Sequence, residues 1–134
     1  MKESRNINIE VLKKAHARLR NFMENKESEQ EQAGIVQAFE YCYELSWKIM
    51  RKVLYNEGIK VNSPKETFRE AGRSEIIEKV KLWFDFLEKR NLTVHTYNEV
   101  VLKEIMKIVP KFENELNRLV KILEEKVSYI KNNK

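Results

Sequence analysis

Residues 34–59 read GIVQAFEYCYELSWKIMRKVLYNEGI. Ile35, Phe39, Cys42, Ser46, Ile49 and Val53 recur at steps of three and four, which is one face of a 3.6-residue helix. Val36, Tyr43, Trp47, Met50 and Leu54 form a second stripe beside the first. A helix apolar over so wide an arc is covered on more than one side. It is either central in a bundle or also placed at a subunit interface. Gly58 marks its end, because glycine takes the left-handed cap without steric cost. Its start is expected near Gln32.

Working outward, the stretch ENKESEQEQ (24–32) is polar throughout and reads as a loop or a frayed helix end. Before it, Ile9, Leu12, Ala15, His16, Leu19, Phe22 and Met23 predict a helix over about residues 8–24. After the long helix, SPKE (63–66) is a start signal. Ser63 can cap, Pro64 suits the first helical position, and Glu66 completes a capping box. That short helix is expected to stop near Gly72. A fourth is expected from about Ser74, burying Ile76, Ile77, Val80, Trp83, Phe84 and Leu87. Asn98 suits the cap of the last helix, with Glu99 in its first turn. Ile105, Val109, Phe112, Leu116, Leu119, Leu123, Val127 and Ile130 then follow as a heptad-like seam. Pro110 interrupts this seam, and a bend is expected there rather than a domain boundary. The closing KNNK, and the tail from about residue 128, is expected to be disordered. The sum is an all-α fold in one domain over residues 1–134: a four-helix up-and-down bundle with one extra short helix.

Composition agrees. The chain has 134 residues, with only 3 Gly and 2 Pro, and 35% of its residues are charged. Long helices with short connections follow, and an all-β fold does not. The net charge of +5 is mixed with many acids, so an anionic partner such as RNA is permitted but not required. The single cysteine, Cys42, excludes an internal disulfide and a cysteine-based zinc site, and no residue pattern suggests another metal site. The polar N-terminus does not resemble a signal peptide, and no apolar run approaches the roughly 20 residues of a membrane span. A soluble cytoplasmic protein without membrane contact is expected.

The octapeptide RNLTVHTY (90–97) holds one of the two histidines. One reading is local: polar residues gather at a helix end, Asn91 and His95 bond one turn apart, and Tyr97 packs on the bundle. Spacing alone favours that reading. The other is chemical. Arg90 offers a planar, permanently charged fork for phosphate. His95 brings an imidazole, a side chain able to take up and give back a proton. Together they could cleave RNA without metal, His95 moving the proton and Arg90 stabilising charge on phosphorus. On an ideal helix the two positions differ by about 140°, so a shared face is not automatic; arginine's reach helps, and so would an end to the helix before His95. One histidine supplies one proton-transfer partner; a two-fold dimer would supply the second.

RNLTVHTY matches the R-x-x-x-x-H-x-Y signature of the HEPN superfamily. The stretches at 34–59, SPKETFREAG (63–72) and LWFDFLEKRNLTVHTYNE (82–99) follow in an order that resembles the nucleotidyltransferase substrate-binding protein family. The resemblance implies a helical homodimer that assembles with a small nucleotidyltransferase encoded nearby, in a toxin–antitoxin-like module. It implies a substrate- or nucleotide-binding role, with a metal-independent ribonuclease toxin as the alternative. Carried over by position, Arg90 and His95 are the ribonuclease pair, Asn91 is the polar residue beside the arginine, and Tyr97 is the tyrosine that the partner adenylylates. No transferase active site is visible in the chain. It is expected to hold no cofactor, with ATP and Mg belonging to the partner.

Glu40, Tyr43, Glu44 and Trp47 lie within two turns of the long helix. The two rings could stack a base while an acid bonds its edge. Aromatics at this spacing more often pack in a core, with the acids paired to Lys48 or Arg51. His16 and Cys42 read as packing residues. The lysines and Arg118 of the last helix alternate with glutamates and read as a solvated face first, an RNA contact second.

Overall fold

A computed structural model describes residues 7–132, with side chains to residue 127. The described residues form α1 (Glu10–Phe22), α2 (Glu29–Asn56), α3 (Pro64–Arg73), α4 (Val80–Leu92) and α5 (Glu99–Asn132), with a 3-10 turn at Thr93–His95. The expected disordered tail falls on residues whose side chains or placement lie outside the described ones.

The contacts between helices give the topology. Lys13 meets Glu124 at 2.7 Å, and Arg20 meets Glu113 at 3.8 Å, so α1 and α5 run antiparallel. Phe39 packs on Phe112, and Glu57 meets Lys126 at 3.2 Å, so α2 and α5 run parallel. Lys79 lies 3.8 Å from Glu115 while Phe86 packs on Phe112, so α4 returns antiparallel to α5. The four long helices therefore alternate in direction, and α3 bridges α2 to α4. α2 touches all four other helices, which accounts for its wide apolar arc. No described helix is long and apolar enough to cross a membrane.

Local signals explain most boundaries. α2 begins earlier than expected, at Glu29. Ser28 accepts from the Glu31 backbone at 3.0 Å, and the Glu31 carboxylate accepts from the Ser28 backbone at 2.9 Å. This reciprocal capping box starts the helix inside the polar stretch. At the other end Gly58 sits at φ +85°. Ile59 N–H donates to the Leu54 carbonyl at 2.8 Å and Gly58 N–H to that of Tyr55 at 3.0 Å, the paired bonds of a Schellman cap. Ser63 caps α3 as expected, but Glu66 reaches past it to the Asn62 N–H at 2.7 Å.

α4 starts six residues later than expected. Ser74 ends α3, and Glu75 holds the left-handed position of a second Schellman cap at φ 62°. Ile76 and Ile77 are buried as expected, but in the connection rather than on a helix face. Within α4 the fully buried rings are Trp83 and Phe86, while Phe84 and Leu87 are half-buried. Asn98 caps α5 through its side chain, accepting from Val100 N–H at 2.9 Å. The seam from Ile105 to Val127 is buried, and α5 runs unbroken through Pro110.

Phe112 is the hub of the core. Its ring lies 5.0 Å from Phe39, 5.8 Å from Trp83 and 5.1 Å from Phe86, each edge to face. Phe112→Ala is expected to cost about 3–5 kcal/mol, read by urea denaturation. A loss below about 1 kcal/mol would show that the ring is not the hub.

Cys42 lies in the same core, and burial pushes its thiol up to about 12, from an ordinary 9.0. The folded state therefore keeps a proton that the unfolded state loses above about pH 9. Cys42 should resist alkylation at that pH until the protein is denatured. Stability relative to Cys42→Ala should hold below pH 9 and fall as pH rises toward 12.

Candidate functional site

The octapeptide spans the end of α4, and the structure separates its residues into an inner and an outer set. α4 stops at Leu92, and a single 3-10 turn carries the chain to His95. The one-turn spacing of Asn91 and His95 is thereby lost. No hydrogen bond joins them, and both are exposed.

Arg90 belongs to the inner set. It lies four residues after Phe86, so the face that buries the ring also turns Arg90 toward α2. Its Nη1 lies 3.6 Å from Glu40 Oε2, and its Nε lies 3.4 Å from Glu44 Oε2. Thr93, buried in the 3-10 turn, completes the set. Its hydroxyl oxygen contacts Glu40 Oε2, lies 2.7 Å from the Arg90 carbonyl and accepts from Arg90 Nη1 at 3.4 Å. One hydroxyl proton serves the two acceptors. Nothing in the sequence marks Thr93, because a threonine at a helix end carries no signal of a partner 53 residues away.

The acids of α2 thus pair chiefly with Arg90. Glu44 also lies 3.9 Å from Lys48 and accepts from the Trp47 indole N–H at 3.2 Å. Tyr43 is 1% exposed and Trp47 is 9% exposed. These rings are core residues in this chain and offer no open stacking face. Burial, then the neighbouring Glu44 charge, raises the Tyr43 phenol above its ordinary range, while Arg90 acts the other way. It stays protonated at any working pH.

His95 and Tyr97 form the outer set. Their rings meet edge-on at 5.7 Å, and His95 Nδ1 lies 3.1 Å from the Tyr97 hydroxyl. Tyr97 is 82% exposed, the opposite of the packing expected from a local reading. Val94 and Val100, three residues to either side, are also exposed, at 67% and 66%. Beside Tyr97 opens a groove of about 1000 Å³ of mixed charge, lined by Lys26, Lys103 and Lys107 and by Glu27, Glu29 and Glu99. It lies between the start of α2 and the start of α5.

His16 is buried and bonded through Nε2 to Glu113 at 2.7 Å, an α1–α5 tie. The pair packs the two helices together, as expected of a packing residue.

Over residues 7–125 the chain matches the family described as nucleotidyltransferase substrate binding protein like. The chain belongs to that family. A probable ribonuclease HepT of Haemophilus influenzae is 30% identical over 102 residues, which cover 72% of this chain and 70% of that protein. A solved structure from Thermus thermophilus superposes with a TM-score of 0.79 at 29% identity, over 84% of this chain and 98% of its own. Another, from Haemophilus influenzae, has the fold of a substrate binding domain of a nucleotidyltransferase. Its TM-score is 0.77 at 28% identity, over 87% of this chain and 99% of its own. In this member of the nucleotidyltransferase substrate binding protein like family, the exposed motif end is anchored on the core by the Arg90–Glu40–Thr93 cluster.

A double-mutant cycle tests that anchor. Arg90→Ala and Glu40→Ala should show a coupling energy of about 1 kcal/mol, modest because both side chains are about one-third exposed. Additive losses in denaturant unfolding would mean that the two do not interact.

Proposed function

We propose that the protein is the substrate-binding subunit of a two-component nucleotidyltransferase, and that its partner is a separate small transferase. The supporting observation is the family membership over residues 7–125, together with the groove beside the exposed Tyr97. The partner would bring ATP and Mg. The groove would offer the phenol: Tyr97 oxygen attacks the α-phosphorus, the bond to pyrophosphate breaks, and the phenolic proton leaves to His95 or water. The product is an AMP ester that adds bulk and negative charge to the motif.

A second reading, a metal-independent ribonuclease, is favoured by the outer set. When His95 Nδ1–H donates to Tyr97, the Nε2 lone pair is free to accept a proton. His95 would take the proton of an RNA 2′-hydroxyl, whose oxygen attacks phosphorus and forms a 2′,3′-cyclic phosphate. The P–O5′ bond breaks, and O5′ takes a proton from a second His95. Three exposed apolar side chains close to His95 in the chain, Val94, Tyr97 and Val100, support a two-fold homodimer that supplies this second imidazole. Arg90, held by Glu40 and Glu44, would stabilise charge on the phosphoryl oxygens. Adenylylated Tyr97 would lose its bond to His95 and silence this step.

One experiment tests both readings. The purified protein is incubated with RNA in EDTA, with and without prior exposure to the transferase and ATP. Cleavage should fall about 100-fold or more in His95→Ala, and in Arg90→Ala, without change in circular dichroism. Treatment with the transferase should add one AMP mass to the wild type, none to Tyr97→Phe, and stop cleavage. Equal cleavage by wild type and His95→Ala would overturn the ribonuclease reading. Failure of the transferase to bind the protein would overturn the subunit reading.

A further inference from the structure

The Schellman turn at Gly58 has a second effect. It folds the chain back along the end of α2, and residues 60 and 61 come to lie against the helix face that carries residues 48, 51, 52 and 55. The result is an open pocket of about 370 Å³ lined by Lys48, Arg51, Lys52, Tyr55, Lys60 and Val61. Its lining holds four cations and no carboxylate. Arg51, Lys52 and Lys60 are exposed, and among the described residues no acid pairs with them. Lys48 alone has a neighbouring acid, Glu44 at 3.9 Å. Tyr55 is 38% exposed at the pocket.

Glu44 links the pocket to Arg90. Residues 40, 44, 48, 51 and 55 recur at steps of four and three, so they form one stripe along α2. Glu44 touches both Arg90 and Lys48, which puts the pocket one helical turn from the Arg90 site. Electrostatics gives that proximity a purpose. Glu40 and Glu44 flank Arg90 and more than offset its single charge, and Glu27, Glu29 and Glu99 balance the three lysines of the groove beside Tyr97, so the motif end by itself attracts a polyanion weakly. The cations beyond Glu44 supply the missing attraction. They extend about 10 Å along α2 from Lys48 to Tyr55, at 1.5 Å per residue, longer than one phosphate group needs. Cations that track a backbone, with an aromatic ring among them, are the arrangement that binds single-stranded nucleic acid.

We propose that Lys48, Arg51, Lys52, Lys60 and Tyr55 form a phosphate-tracking site for single-stranded RNA, which holds the strand next to the Arg90–His95 motif. The cations contact successive phosphates, and the Tyr55 ring stacks on a base. The choice of RNA rests on the ribonuclease reading; the site itself rests on the pocket and its charge.

The test is binding, not cleavage, so the two can fail separately. A fluorescently labelled single-stranded RNA is titrated with the full-length His95→Ala protein at several KCl concentrations. Replacing Arg51, Lys52 and Lys60 together by Gln keeps helix-forming side chains and removes three cations. Affinity should drop about 10-fold or more, and the slope of log K against log [KCl] should flatten by about 2, at roughly 0.7 per lost phosphate contact. Tyr55→Ala should weaken binding by about 5-fold or more at every salt concentration and leave the slope unchanged. Lys121→Gln, on the exposed side of α5, should change neither. An unchanged slope in the triple variant, with its circular dichroism intact, overturns the proposal. So does a triple variant that keeps its RNA affinity but loses the transferase, which would assign the pocket to an acidic protein surface. If the protein cleaves no RNA yet the slope flattens as expected, the site stands and the ribonuclease reading falls.

Discussion

The edge-to-face contacts of Phe112 set the register of everything else. Its ring meets Phe39 of α2 and both Trp83 and Phe86 of α4, so three helices share one aromatic centre. Such contacts are directional, because ring edges and faces carry opposite partial charge. They fix not only the distance between α2 and α4 but also the rotation of each about its axis. Arg90 follows Phe86 by one turn, and Glu40 adjoins Phe39. The polar cluster at the motif is therefore a consequence of the apolar one beneath it.

That cluster divides the octapeptide by function. Arg90 and Thr93 are tied to α2 and anchor the motif on the core. His95 and Tyr97 project from the end of the bundle, bonded to each other and open to solvent. Ending α4 at Leu92 makes this division possible. A continuous helix would have turned His95 about 140° from Arg90. The 3-10 turn redirects the chain instead, while the Asn98 cap restarts it as α5.

Charge is distributed with the same economy along α2. Acidic residues near its middle hold Arg90, and basic residues toward its C-terminal end, where the helix dipole favours cations, face an open pocket. One helix stripe thus passes from anchoring to attraction within a few turns. Gly58 shapes the pocket, because its left-handed turn brings Lys60 and Val61 back toward the helix.

Periodicity by itself determined the helical class, the central place of α2, the seam of α5 and the caps at Ser63, Gly58 and Asn98. Each depends on residues within a turn or two of one another, and short-range spacing is what a sequence displays. The motif residues were legible through the family resemblance rather than through spacing, which alone favoured a plain helix end. Two boundaries were hidden by local chemistry: the Ser28–Glu31 capping box lay inside a polar run, and Glu75 took a left-handed position that glycine usually marks. The choice of Phe86 over Phe84 as a core ring, the pairing of Glu40 with Arg90 and Thr93, and the return of Lys60 to α2 were decided only by tertiary structure. They depend on how one helix is rotated against another, or on where a turn sends the chain, and packing settles both.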